Sequence, residues 1–172
     1  AWKVIVCSSH MSEEVSGIFG LPKDKIEVLP NGVEANQFAD AVENVRRNGK
    51  EAFNEPGRLI LYVGRLVPEK GVQVLLDAMP TIIRDAPDVR LAIVGTGPAE
   101  DMIRSRSNEL GIADRVHMYG FVEDEVRNEL YAKASVAVVP SLYEPFGITA
   151  LEAMAAKVPL VTSNAGGLDE IV

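Results

Sequence analysis

From residue 58 onward, short blocks of consecutive apolar residues alternate with longer stretches whose apolar positions recur every three or four residues. The blocks cover 59–63, 89–94, 115–119, 135–139 and 160–162. A nearly unbroken β-branched run suits a strand buried on both faces, so these five predict strands of a parallel sheet. After the first block, Val72, Leu75, Leu76, Met79, Ile82 and Ile83 make one apolar stripe at helical spacing. Pro80 falls inside that stripe and lacks a helical N–H, which predicts a kink. Residues 98–110 and 122–134 predict two more helices, the second with Glu123, Asp124 and Glu125 at its positive N-terminal end. Residues 148–156 have high helix propensity. Five β–α repeats in this order predict an α/β fold, a doubly wound parallel sheet over residues 58–172. Residues 1–33 read as a separate strand–helix–strand piece. Residues 34–57 are polar, carry turn signals at Asn48-Gly49 and Pro56-Gly57, and read as a linker or surface excursion.

The 172 residues suffice for one compact domain with part of a second. The lone Cys7 excludes a disulfide framework and a multi-cysteine zinc site, points to a reducing cytosol, and reads as a small buried apolar residue. No apolar run approaches the ~20 residues that span a bilayer. With 17 basic against 25 acidic residues the net charge is −8, which argues against nucleic acid as a partner. It leaves room for a small anion, because the local field of a pocket can oppose the global charge. The full strand strength at Trp2 and the unfinished helical pattern after Gly166 are those expected of a piece of a longer protein, and no charged leader with a cleavage site is visible.

Ligands of open α/β sheets bind at the carboxyl ends of the strands, so the loops after the strands are where chemistry is expected. Three carry unusual residues. In Gly64-Arg65-Leu66-Val67-Pro68-Glu69-Lys70-Gly71, Gly64 permits a sharp turn and two cations stand at the strand mouth, as a diphosphate requires. A solvated loop with incidental charges is an equal reading of those residues alone. In Val94-Gly95-Thr96-Gly97-Pro98 the third glycine of a dinucleotide fingerprint is replaced by Glu100, which would repel a pyrophosphate. A tight strand-to-helix turn is the better reading, and an NAD-dependent oxidoreductase is disfavoured. The third loop, Pro140-Ser141-Leu142-Tyr143-Glu144-Pro145-Phe146-Gly147, places a carboxylate just before a helix that carries Glu152. Gly147 and Ile148 would present free N–H groups at that helix start.

These strings resemble the group 1 (family 4) retaining glycosyltransferases. Gly64-Arg65 with Lys70-Gly71 is similar to that family's G-R-L-x-x-x-K-G loop, and Glu144 with Glu152 to its E-x(7)-E motif. Asn31-Gly32-Val33-Glu34 resembles its N-G-V-D linker, and Ala165-Gly166-Gly167-Leu168 its later glycine pair. The resemblance implies a GT-B architecture of two Rossmann-like domains. Residues 58–172 would then be the nucleotide-sugar (C-terminal) domain, and residues 1–33 the tail of an acceptor domain otherwise missing from this chain. It implies that Arg65 and Lys70 bind the donor diphosphate and that Glu152 holds the ribose hydroxyls. Glu144 would contact the donor sugar near the reacting centre, with Phe146, Gly147, Ile148 and Thr149 supplying backbone groups. Gly64 and Gly95, at the ends of the first two strand blocks, would also belong to the donor-binding site, and the base would rest near Gly120, Phe121 and Val122.

The implied function is donor binding in a retaining hexosyltransferase that takes a UDP-, ADP- or GDP-sugar and passes the hexose to a sugar, glucan or lipid acceptor. The Tyr143-to-Gly147 string and the Gly-Gly-Leu are similar to glycogen and starch synthases, which favours glucose. No Asp-x-Asp pair is present, and His10 and His117 stand far apart, so no metal and no other cofactor is expected. His117 reads as a packing or solvent-facing residue. The chain by itself is expected to be inactive. A cytoplasmic protein is implied, with peripheral membrane association open to the full-length form. The rival from another class is a non-catalytic nucleotide-binding module acting through partner contacts.

Overall fold

A computed structural model describes residues 2–48 and 57–172. The chain opens with β1 (Val4–Val6), α1 (Ser9–Phe19) and β2 (Ile26–Val28), the two strands pairing in parallel. Next come α2 (Ala35–Asn48), β3 (Leu59–Val63), α3 (Val72–Asp85), β4 (Arg90–Val94) and α4 (Glu100–Glu109). β5 (Val116–Gly120), α5 (Asp124–Lys133), β6 (Val136–Val139), α6 (Ile148–Ala155) and β7 (Leu160–Thr162) follow, before a short 3-10 turn at Gly166–Glu170. Strands β3 to β7 form one parallel sheet in the order β5-β4-β3-β6-β7.

Helices cover both faces, which explains why the strands are apolar throughout rather than alternating. Ile60 and Tyr62 of β3 face α3 and α4 with Leu76, Met79 and Ile103. Their neighbours Leu59 and Leu61 point the other way, onto Phe38, Leu130, Tyr131 and Ala153 of α2, α5 and α6. Each such side chain contributes about 1.5–3 kcal/mol by leaving water. The predicted strands occur with ends shifted by a residue at most, and Pro80 lies inside α3, which continues past it to Asp85.

The polar stretch after residue 34 departs from expectation. Residues 35–48 form a helix instead of a linker, and its one buried apolar side chain, Phe38, meets the Tyr131 ring edge-on at 5.8 Å. The turn signals at Gly49 and Pro56 lie outside the described residues. The strand–helix–strand piece at the start is present as expected, and it is tied to the end of the sheet domain. The Ser8 hydroxyl donates to the Pro145 carbonyl (2.6 Å), and the Ser9 and His10 N–H groups donate to the two oxygens of Glu170 (2.9 and 2.7 Å). Those bonds at the start of α1 hold the Glu170 carboxyl below its usual range.

A candidate donor-binding cleft

The strand order fixes where a ligand can enter. The chain builds outward from β3 through β4 to β5, then crosses back to place β6 on the other side of β3. The connections leaving β3 and β6 therefore part in opposite directions and leave a crevice at their carboxyl ends. A cleft of about 420 Å³ lies there, lined by Gly64, Arg65 and Lys70 after β3 and by Ser141, Glu144 and Phe146 after β6.

The two loops are joined through their backbones. The Leu142 and Tyr143 N–H groups both donate to the Glu69 carbonyl (2.8 and 3.1 Å). Gly71 has φ +71°, and a Cβ there would stand 1.9 Å from the Pro140 carbonyl oxygen. Only glycine allows this approach, which brings the cation loop and the glutamate loop into direct backbone contact.

That contact sets the chemistry. The Lys70 ammonium donates to Glu144 Oε2 at 2.8 Å, and the Ser141 hydroxyl donates to the same oxygen at 3.0 Å. Glu144 is only 8% exposed and Ser141 2%. Tyr62 sits beneath, its hydroxyl donating to the Arg65 carbonyl (3.0 Å). Burial, with the Glu144 charge adding to it, pushes the Tyr62 phenol well above its usual range. Arg65 is exposed at the cleft mouth. On the opposite wall α6 begins after Gly147 (φ +108°), and its first residues, Ile148 and Thr149, line the cleft. First-turn N–H groups have no acceptor within their own helix and suit an anion. The glycine pair braces this wall from behind. A Cβ on Gly166 would meet the Glu144 carbonyl at 2.2 Å, and one on Gly167 the Pro145 carbonyl at 2.5 Å.

Glu152 points elsewhere. It accepts from the Tyr131 hydroxyl at 3.0 Å and lies 3.6 Å from the Arg127 guanidinium, which also pairs with Asp124 at 2.9 Å. Burial raises its carboxyl above the usual range, against the pull of Arg127 and Tyr131. The Tyr131 phenol is raised as well, by its own burial first and by Glu152 second.

The fold thus gathers Gly64, Arg65, Lys70, Glu144, Phe146, Gly147, Ile148 and Thr149 around one cleft. Gly95, Gly120, Phe121, Val122 and Glu152 do not line it. Gly95, at φ +127°, is pressed against the Gly64 carbonyl, and its N–H donates to the Gly120 carbonyl at 2.8 Å. Phe121 is 76% exposed. Glu100 accepts from the Gly97 N–H (3.1 Å), the tight-turn role. Cys7, expected to be buried, instead lines the cleft with Asn31 and is half-buried. His117 is exposed and packs against Tyr119 with the rings tilted by 50°, their centres 4.7 Å apart. Tyr62, Arg127 and Tyr131 escaped the sequence reading, while Ser141 and Asn31 stood in it only as members of their strings, with no role at the site. For Ser141 a signal existed, a lone hydroxyl in an otherwise apolar strand exit. A second groove, about 460 Å³ between α2 and α5, is lined by Asp40, Asp124, Glu125 and Glu129, whose charges repel an anion. Among the described residues no cluster of His, Cys, Asp and Glu is placed to hold a metal, and no helix is long and apolar enough to cross a membrane.

Residues 44–172 match the family described as glycosyl transferases group 1. The whole chain is 39% identical to an uncharacterized glycosyltransferase of Methanocaldococcus jannaschii, over 99% of this chain and 44% of that protein. It is 37% identical to a glycogen synthase of Mycobacterium tuberculosis, over 98% of this chain and 39% of that protein. Among solved structures, Anabaena HepE in complex with UDP and glucose superposes with a TM-score of 0.84 at 26% identity, covering 100% of this chain and 47% of that one. The chain spans less than half the length of each of these relatives.

Proposed function

The chain belongs to the group 1 glycosyl transferases, and from that premise we propose that it is the nucleotide-sugar-binding half of a retaining hexosyltransferase. The observation that carries this reading is the pairing of Lys70 with Glu144 at the switch-point cleft. Lys70 and Arg65 offset the donor diphosphate, and the first N–H groups of α6 donate to its oxygens. Glu144 accepts from hydroxyls of the donor hexose. Glu152, further along α6 from Thr149, accepts from the ribose hydroxyls, with Tyr131 and Arg127 holding its carboxylate in orientation. The loop at Gly120, Phe121 and Val122 is the proposed rest for the base.

In the transfer, the bond between the anomeric carbon and the diphosphate oxygen breaks and the acceptor hydroxyl attacks from the same face. Its proton passes to the departing phosphate, and the two cations stabilise the charge that develops there. The HepE complex holds UDP and glucose, which supports glucose on a uridine diphosphate as the donor. The acceptor, a sugar, glucan or lipid, would be bound mainly by sequence outside this chain, so the 172 residues alone are proposed to bind donor without turning it over.

Calorimetric titration of the chain with UDP, ADP and GDP, with and without EDTA, tests the reading. The expected outcome is binding of one of them with the same Kd in both buffers. Binding abolished by chelator would overturn metal independence, and no binding at all would overturn the donor site.

A further inference from the structure

Lys70 already holds a carboxylate at ion-pair distance, and that has a consequence for whatever anion enters the cleft. Its side chain is 17% exposed and that of Glu144 11%, so the charges there are only partly screened by water. Both recorded bonds to Glu144 fall on Oε2, from Lys70 and from Ser141, which pins the carboxylate beside the ammonium. The backbone bonds from Leu142 and Tyr143 to Glu69, and the contact of Gly71 with Pro140, keep the two loops from parting to separate the charges. An anion reaching Lys70 therefore meets Glu144 as well.

Resting on the reading of this cleft as a nucleotide-sugar site, we propose that Glu144 discriminates between donor and spent nucleotide by competing with the free diphosphate for Lys70. In the donor the terminal phosphate is esterified by the hexose, which removes one ionisable oxygen and offers hydroxyls that a carboxylate can accept from. Once the hexose has left, that oxygen is free and titrates with a second pKa of about 6, so the product carries more negative charge at neutral pH. An ammonium has three donors and can touch both anions, but carboxylate and phosphate repel across it. The same side chain thus favours the sugar nucleotide and disfavours the bare one. Glu144 is in this sense a specificity-determining residue that hastens product release, in addition to its contact with the sugar.

The test is calorimetric titration of the wild-type chain and of Glu144→Gln and Glu144→Ala with two ligand pairs, UDP with UDP-glucose and ADP with ADP-glucose. Gln keeps the shape and an acceptor for Ser141, while Ala removes the group altogether; both remove the charge. The expected result is a Kd for the bare diphosphate about tenfold lower in both variants, about 1.4 kcal/mol. The Kd for the sugar nucleotide should rise in both, so that the preference for donor over product collapses. A bare-diphosphate Kd that is unchanged or higher, in either variant that unfolds cooperatively, overturns the inference while leaving the donor site standing. If the wild-type chain binds neither member of either pair, the donor-site reading falls and this inference falls with it.

Discussion

Glu144 and Glu152 are both 8% exposed and stand eight residues apart in sequence, yet their surroundings are opposite in kind. Glu144 precedes α6 and opens on a cleft, where it takes one ammonium directly and a serine hydroxyl besides. Glu152 lies within α6 against α5, where its cation is 3.6 Å away, shared with Asp124 and set over the Phe38 ring at 5.7 Å. Burial raises the Glu152 carboxyl because its compensation is spread over several partners. Equal burial therefore conceals two tasks. One carboxylate is held by a cation that a ligand can contest. The other is part of the packing between two helices, tied to Tyr131 and Arg127 of α5.

The largest effect should come from removing the contested cation. Lys70→Ala leaves Glu144 charged and nearly buried without its partner, a change that costs about 3 kcal/mol of stability when a buried pair is broken. It should also raise the Kd for the bound nucleoside diphosphate by about a hundredfold, since a charge-assisted contact to the diphosphate is lost. Urea denaturation separates the two consequences. Lys70→Ala combined with Glu144→Ala should regain most of the lost stability and, because the repelling carboxylate is gone, only part of the affinity. A double variant as unstable as the single would show that the pair does not act through its charges.

Tyr131→Phe comes next and acts on the other side of the comparison. It removes the phenol that donates to Glu152 without opening a cavity, so about 1.5 kcal/mol should be lost, the scale of a hydrogen bond to a charged group. In the donor-site reading, UDP affinity should fall severalfold in the same variant. An affinity loss with unchanged stability would move Tyr131 from packing into direct ligand contact. Stability lost with UDP binding intact would detach Glu152 from the ribose.

How far the sequence foretold this arrangement depends on the range of the interaction. The sheet was readable because burial on both faces writes itself locally, as blocks such as Leu59-Ile60-Leu61-Tyr62-Val63. The cleft loops were readable because their glycines and charges occur at fixed spacing next to strand ends. The bond between Lys70 and Glu144 was not, since it joins loops 74 residues apart and depends on β6 lying beside β3. Helix α2 was hidden for another reason. Phe38, Ala41, Val42 and Val45 do recur at helical spacing there, but they stand in a stretch that is polar on average and next to turn signals, so its composition outweighs its period. Arg127 and Tyr131 lie in a helix with little amphipathic pattern, and their contacts with Glu152 exist only because α6 packs against it. Cys7 was misjudged because a short strand gives no warning that its end opens onto a cleft.

The smallest expected effect concerns pH and isolates Glu152 from Glu144. The folded Glu152 carboxyl titrates above the ordinary 4.5, with burial as the main cause. The folded protein thus binds that proton more tightly than the unfolded chain does, and protonation of this group adds stability. The added stability is fully present below 4.5 and is lost as pH rises through the raised folded value. Glu152→Gln abolishes the titration, so the difference in unfolding free energy between wild type and variant should slope from pH 4.5 up through the raised folded value and level off on either side. In Tyr131→Phe the slope should extend to higher pH, because the phenol's bond favours the charged form and its loss lets the carboxyl rise further. Urea titrations at closely spaced pH values would measure both. A flat difference for Glu152→Gln across that window would mean that Arg127 compensates this carboxylate as fully as a direct ion pair would, and the contrast between the two glutamates would then rest on the cleft alone.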